Sequence, residues 1–137
     1  MDLATSRYQA ADLIETSGRA AVGITLWYPR WKLRYPVVAN LRQLAPTREM
    51  MRVDDARMFE EMYRGRLDDL GVSWVRDLLA NCAERANNER LTVLCYEDLT
   101  KPGLTCHRRM FAAWWQEHTG EVVTELEPPV RRDRLFQ

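Results

Sequence analysis

Apolar positions along the chain alternate between two periods. "MDLATS" reads as a short first strand, and "YQAADLIETSG" as a short helix closed by Gly18. "AVGITLWYP" is a β-branched and aromatic run that Pro29 interrupts, and it reads as a strand. "RWKLRYP" follows as an aromatic and basic loop, and "VVANL" as a third short strand. "RQLAPTREMMRV" has weak periodicity and a proline, and reads mostly as loop. Asp54 and Asp55 then suit a helix start, with Phe59, Met62, Tyr63, Leu67 and Leu70 at helical spacing and Gly71 as the stop. A second apolar stripe runs through Val72, Val75, Leu78, Leu79, Cys82 and Ala86. "LTVLCY" is the clearest buried strand. Thr105 can cap a helix carrying Met110, Phe111, Trp114 and Trp115, which Gly120 stops, and "EVVTEL" reads as a last strand.

Strands alternating with helices predict an α/β fold: one domain over residues 1–127, with a small, largely parallel sheet flanked by helices. Residues 128–137, beginning at Pro128–Pro129, read as a C-terminal tail. The unit from Leu91 to Leu126 is strand, helix, strand. In open sheets of this kind ligands bind beyond the carboxyl ends of the strands. That rule directs attention to Cys95, Tyr96, Glu97 and the start of the next helix.

Composition narrows the classes. The 137 residues are 46% hydrophobic and 29% charged, ordinary for a globular domain. Lys plus Arg equals Asp plus Glu, so no net field draws the chain to nucleic acid, although a local basic patch remains open. No apolar run approaches the roughly 20 residues that span a bilayer. The start "MDLATSRYQ" has an early acid and no continuous apolar segment, unlike a signal peptide. Three cysteines at irregular spacing do not make a disulfide framework, and a reduced cytoplasmic setting is the simplest expectation.

Chemistry concentrates in "LCYEDLTKPGLTCHRRMF". With Thr105 as cap, Cys106, His107 and Arg108 occupy a first helical turn, whose N–H groups and dipole favour an anion. Cations there are disfavoured by about a few tenths of a kcal/mol each. A negative partner offsets this: Glu97, Asp98, or a bound phosphate or carboxylate. The plainer alternative sends Arg108 and Arg109 into water. A thiol in that turn beside basic groups can have its pKa lowered from about 8.5 into the ~3.5–7.5 range, which makes Cys106 a candidate nucleophile. Its alternative is a small buried apolar residue. Cys95 lies within the strand pattern, and Cys82 on a helix stripe. Glu97 at a strand end can serve as acid/base or nucleophile, or as a surface partner of Lys101 or Arg108. A zinc site from Cys95, Cys106 and His107 is not expected: no Cys-x-x-Cys pair is present, and adjacent helical residues splay about 100° apart.

Two further groups join them. "TSRY" follows the first strand, and if that strand is parallel to the one ending at Cys95, Ser6 and Arg7 reach the same rim. "YPRWKLRY" interleaves aromatics with Arg30, Lys32 and Arg34, a pattern able to stack a base and hold its phosphate. The plainer alternative, and the preferred one, is a hydrophobic flap with a solvated face.

"TSRY", "GITLWYPRWKLRY", "LAP" at Leu44–Pro46, "FEEMYRGRLDDLG", "VLCYEDLTKPGLTCHRR" and "VVTEL" together resemble the bacterial and phage family catalogued as domain of unknown function 488. The Cys-Tyr-Glu and Cys-His-Arg pieces are the specific part. The resemblance implies an α/β fold with Cys95, Glu97, Cys106, His107 and Arg108 gathered at one sheet end. Ser6 and Arg7 carry over through the less specific "TSRY". It implies no reaction.

The leading expectation is a small enzyme acting on a nucleotide, nucleoside or nucleic-acid base, with Glu97 and Cys106 catalytic. Ser6, Arg7, Arg30, Cys95, His107 and Arg108 would bind the substrate or its anion. The alternative is a non-catalytic module, a sensor or inhibitor, gripping a nucleotide or a protein. The sequence names no cofactor.

Overall fold

Five parallel strands form the sheet, in the order β3-β2-β4-β1-β5. The computed structural model describes residues 1–96 and 106–128. Along the chain these are β1 (Asp2–Arg7), α1 (Ala11–Ser17), β2 (Ala20–Gly23) and β3 (Val37–Asn40). A 3₁₀ turn (Arg42–Leu44), α2 (Arg48–Met51), α3 (Ala56–Leu70) and α4 (Val72–Ala86) follow. The last are β4 (Arg90–Cys95), α5 (His107–Thr119) and β5 (Thr124–Glu125). The expected single-domain α/β fold is the one observed. Among the described residues no helix is long and apolar enough to cross a membrane.

The stops follow from local chemistry. Gly18 and Gly120 end α1 and α5 in the left-handed region, at φ 69° and 75°, where a glycine carries no Cβ penalty. Asp55 caps α3 by accepting from the Met58 N–H at 3.0 Å.

Alternate strand residues serve opposite faces. Leu3, Val22, Leu91 and Val93 meet Tyr63, Leu67, Leu79, Phe111, Trp114 and Trp115 from α3, α4 and α5. Ala21 and Leu94 instead meet Ile14 of α1, with Tyr8 and Tyr35. Adjacent β1 and β4 therefore send their following helices to opposite faces. That divergence opens a crevice at their carboxyl ends, where Arg7 is in register with Cys95.

Three expectations are corrected. "AVGITLWYP" does not continue as a strand: β2 ends at Gly23. Beyond it the Ile24 carbonyl faces His107 Nε2 at 2.6 Å, and Asn40 Oδ1 takes the Thr25 N–H at 3.2 Å. Side chains thus replace the ladder partners. "RQLAPTREMMRV" is not mostly loop, because Thr47 caps α2 by accepting from the Met50 N–H at 3.3 Å. "EVVTEL" contributes only Thr124 and Glu125 to the sheet. The tail from residue 129 onward lies outside the described residues, as do Glu97, Asp98 and Thr105.

Candidate functional site

The carboxyl ends of β1 and β4 collect the polar groups. Tyr8 N–H donates to the Cys95 carbonyl at 3.0 Å, so the two strand ends stay paired one residue past β1. Cys95 closes β4 facing α5 and is fully buried. Cys106, not Thr105, occupies the cap position of α5, with extended φ/ψ of −130° and 138°. Its side chain therefore does not follow the helical splay expected of it, and it points back to Cys95.

The two sulfurs are joined as a disulfide, with Cα atoms 7.5 Å apart. This corrects the expectation that the three cysteines stay unpaired. A framework was ruled out by counting, but one local pair needs only a strand end and a helix cap that face each other. Cys82 is free and buried in the core as expected, and burial pushes its thiol pKa up.

Arg108 organises the pair. Only 1% of it is exposed. Its Nε and NH2 donate to the two carboxylate oxygens of Glu125 at 2.9 and 2.8 Å. Its NH1 reaches Cys95 Sγ at 2.9 Å and Cys106 Sγ at 3.3 Å. The Thr5 hydroxyl adds a bond to Glu125 at 2.7 Å. A guanidinium this deep must be neutralised and fully bonded, because uncompensated burial of a charge costs several kcal/mol. The carboxylate that answers the first-turn cation comes from β5. The strand-end rule that singled out Glu97 also applies to Glu125, at the end of "EVVTEL".

His107 is buried, sets its Nε2 2.6 Å from the Ile24 carbonyl and packs edge-on against Tyr63 at 5.6 Å. A carbonyl only accepts, so Nε2 is the protonated nitrogen. Arg109, by contrast, is exposed.

Ser6 and Arg7 line one cleft of about 230 Å³ together with Arg108, Arg109, Glu125 and Glu127. The two halves of the expected rim therefore meet. A larger cleft of about 590 Å³ beyond β3 is lined by Arg42, Thr47, Arg48 and Arg66. There Arg66 is engaged by the carbonyls of Ala45 and Arg42, at 2.7 and 3.2 Å. No sulfur or imidazole joins it.

The α1 side of the crevice is built from tyrosines. Tyr8 OH bonds Thr25 Oγ1 at 2.9 Å and Asn40 Oδ1 at 3.4 Å, and burial raises its pKa to about 12. The hydroxyl is therefore protonated at neutral pH. Tyr35 OH donates to the Tyr8 carbonyl at 2.7 Å, and its pKa is raised by the same burial. Gly23 makes room for this group: a Cβ there would lie 2.1 Å from Tyr8 OH and 2.6 Å from Asn40 Oδ1. Outside it, Tyr96 donates to the Trp27 carbonyl at 2.6 Å and meets Trp31 at 5.9 Å. Trp27, Tyr28 and Trp31 are about half exposed, and Arg30 and Lys32 are exposed beside them. Arg30 thus belongs to this outer rim and not to the sulfur cluster.

Comparison with protein-family models, with curated proteins and with solved structures finds no match.

Proposed function

We propose that the protein is a small enzyme acting on a phosphate-bearing small molecule of the nucleotide class, at the crevice between the carboxyl ends of β1 and β4. The observation that carries this reading is the convergence of Cys95, Cys106, His107 and Arg108 beside a cleft that three arginines line together with Glu125 and Glu127. A topological switch point is where open α/β sheets bind their ligands. The same residues carry the resemblance to the domain of unknown function 488, which we propose as the family.

In this reading Arg7 and Arg109 hold the anion at the cleft, and Ser6 offers a hydroxyl. About 230 Å³ suits a phosphate group better than a whole nucleotide, since ligand pockets usually exceed about 300 Å³. A base would lie outward on the exposed rim, where Trp27, Tyr28 and Trp31 present π faces. Exchange with an external dithiol, which leaves as its own disulfide, reduces the Cys95–Cys106 pair and supplies the nucleophile, with Arg108 NH1 stabilising the thiolate. Glu97, two positions beyond Cys95 in the sequence, is assigned the acid/base role.

Calorimetric titration with inorganic phosphate and with nucleoside monophosphates tests the binding half. Arg7→Ala should weaken both ligands at least about tenfold, the worth of a charge-assisted bond. Trp31→Ala should weaken only the nucleotides. Equal affinity for phosphate and nucleotide in the unaltered protein would remove the nucleotide class. The alternative, a non-catalytic nucleotide- or protein-binding module, draws on the exposed Trp27–Trp31 rim. It predicts that Cys106→Ser and Glu97→Gln bind as before and that no turnover is found to lose. The enzyme reading expects Glu97→Gln to lower turnover about 100-fold.

A further inference from the structure

Cys95, Cys106 and His107 each offer a soft or borderline donor, and their ligand atoms all lie within 4.8 Å of one another. All three residues are buried. We propose that in the reduced protein these three residues bind a zinc-class divalent cation. The proposal stands whether or not the cleft takes a nucleotide; with the ion bound both thiolates are ligands, and the nucleophile role belongs to the reduced, metal-free form.

Four features of the site support it. As successive helical residues, Cys106 and His107 would splay apart. Cys106 is instead the extended cap, and its sulfur lies within 4.8 Å of a His107 ring nitrogen. The His107 Nε2–H donates to the Ile24 carbonyl at 2.6 Å, which leaves Nδ1 as the nitrogen carrying the lone pair. A backbone carbonyl on the second ring nitrogen is the usual support of a metal-bound histidine. The Cys95 and Cys106 Cα atoms stand 7.5 Å apart, wider than the usual 4.4–6.8 Å of a disulfide, and so have room for two thiolates sharing one ion. Finally, the charges balance. Two thiolates offset one divalent ion, and the buried Arg108 is offset by Glu125. The N–H groups of Arg108 lie beside both sulfurs, as outer donors to bound thiolates do. Binding releases the two thiol protons to solvent. Two sulfurs and one nitrogen are also the protein donor set of one kind of catalytic zinc site.

The test uses the full chain, reduced with a phosphine under inert gas and stripped with a chelator. Cobalt(II) is the spectroscopic probe, and zinc is titrated against a chromophoric competitor. We expect one ion per chain and a sulfur-to-cobalt charge-transfer absorption. Cys95→Ser and Cys106→Ser should weaken binding by at least about 100-fold, and His107→Ala by at least about tenfold, at or above the range seen for outer supports. Cys82→Ser should bind as the parent does. An absent ion, a cobalt complex without the charge-transfer band, or equal binding by the Cys95 and Cys106 variants would overturn the site. If those variants fail to fold, the unaltered chain decides. Zinc should slow alkylation of Cys95 and Cys106, mapped by peptide mass, and unchanged rates would count against the site. Nucleotide binding, measured separately, can fail while the ion binds.

Discussion

Two rims meet at the carboxyl ends of the strands, and they are built on opposite principles. On the α5 side, Cys95, Cys106, His107 and Arg108 are buried and held by Glu125, Thr5 and the Ile24 carbonyl. On the outer β2 side, Trp27, Tyr28 and Trp31 stand about half exposed on a connection between two short strands. The first rim fixes geometry at the expense of access. The second keeps access and fixes little. In the proposed reading, chemistry belongs to the first and recognition to the second. Consecutive Arg108 and Arg109 show the same contrast in miniature, one 1% exposed and the other in solvent.

The largest effect expected is at Arg108. Arg108→Met leaves Glu125 only the Thr5 hydroxyl beside a buried cluster, and should cost about 3 kcal/mol, the low end for breaking a buried pair. Arg109→Ala should stay within about 0.5 kcal/mol. Denaturant unfolding at fixed redox conditions measures both, and equal effects would erase the contrast between the two arginines. Next is Gly23→Ala, where the new Cβ would strike the Tyr8 hydroxyl and Asn40. A loss of about 1–3 kcal/mol is expected, and combining it with Tyr8→Phe should return part of it. A purely additive double mutant would show that the clash is relieved elsewhere. Trp27→Ala and Trp31→Ala should shift stability by no more than about 0.5 kcal/mol, yet lower nucleotide affinity by about 1–3 kcal/mol per lost stacking face. Stability losses without affinity losses would turn that rim into core.

The smallest effect lies at the opposite end of the sheet, a control on both rims. Glu121 pairs with Arg76 and the N-terminal amine, which hold its carboxyl down to about 2 from an ordinary 4.5. A lowered folded pKa contributes stability that is present above about pH 4.5 and lost as the pH falls towards 2. Solvent screening limits it to roughly 1 kcal/mol. Glu121→Gln should therefore lower stability at neutral pH and leave it unchanged near pH 2, as read from unfolding midpoints across that range.

Much of this was legible in the residues. "LTVLCY" had enough continuous apolar character to read as the clearest buried strand, and Asp55, Gly18, Gly71 and Gly120 marked helix ends. The strand-end rule directs attention to Cys95, and Ser6 and Arg7 join its rim on the condition that β1 is parallel to β4, which it is. What stayed hidden depends on tertiary partners. Nothing local to "AVGITLWYP" says that His107 and Asn40, far along the chain, would take over the backbone groups of Ile24 and Thr25. Nor does local spacing show that Cys106 is a cap, which decides whether its sulfur splays from His107 or joins Cys95. Glu125 was missed as the partner of Arg108 because the pairing spans 17 residues and crosses from α5 to the edge strand. Its position at a strand end was the available clue.

The central claim is that Arg108 makes the Cys95–Cys106 pair the reactive centre. Iodoacetamide labelling of the reduced, metal-free chain across a pH series, with each cysteine mapped by mass, tests it most directly. Both sulfurs are buried, so the readout is the pH midpoint of each labelling profile and not the absolute rate. The midpoint for Cys95 or Cys106 should lie below the roughly 8.5 of an ordinary thiol, and Arg108→Met should raise it. Midpoints for both at or above that of a free thiol, unchanged by Arg108→Met, would contradict the claim.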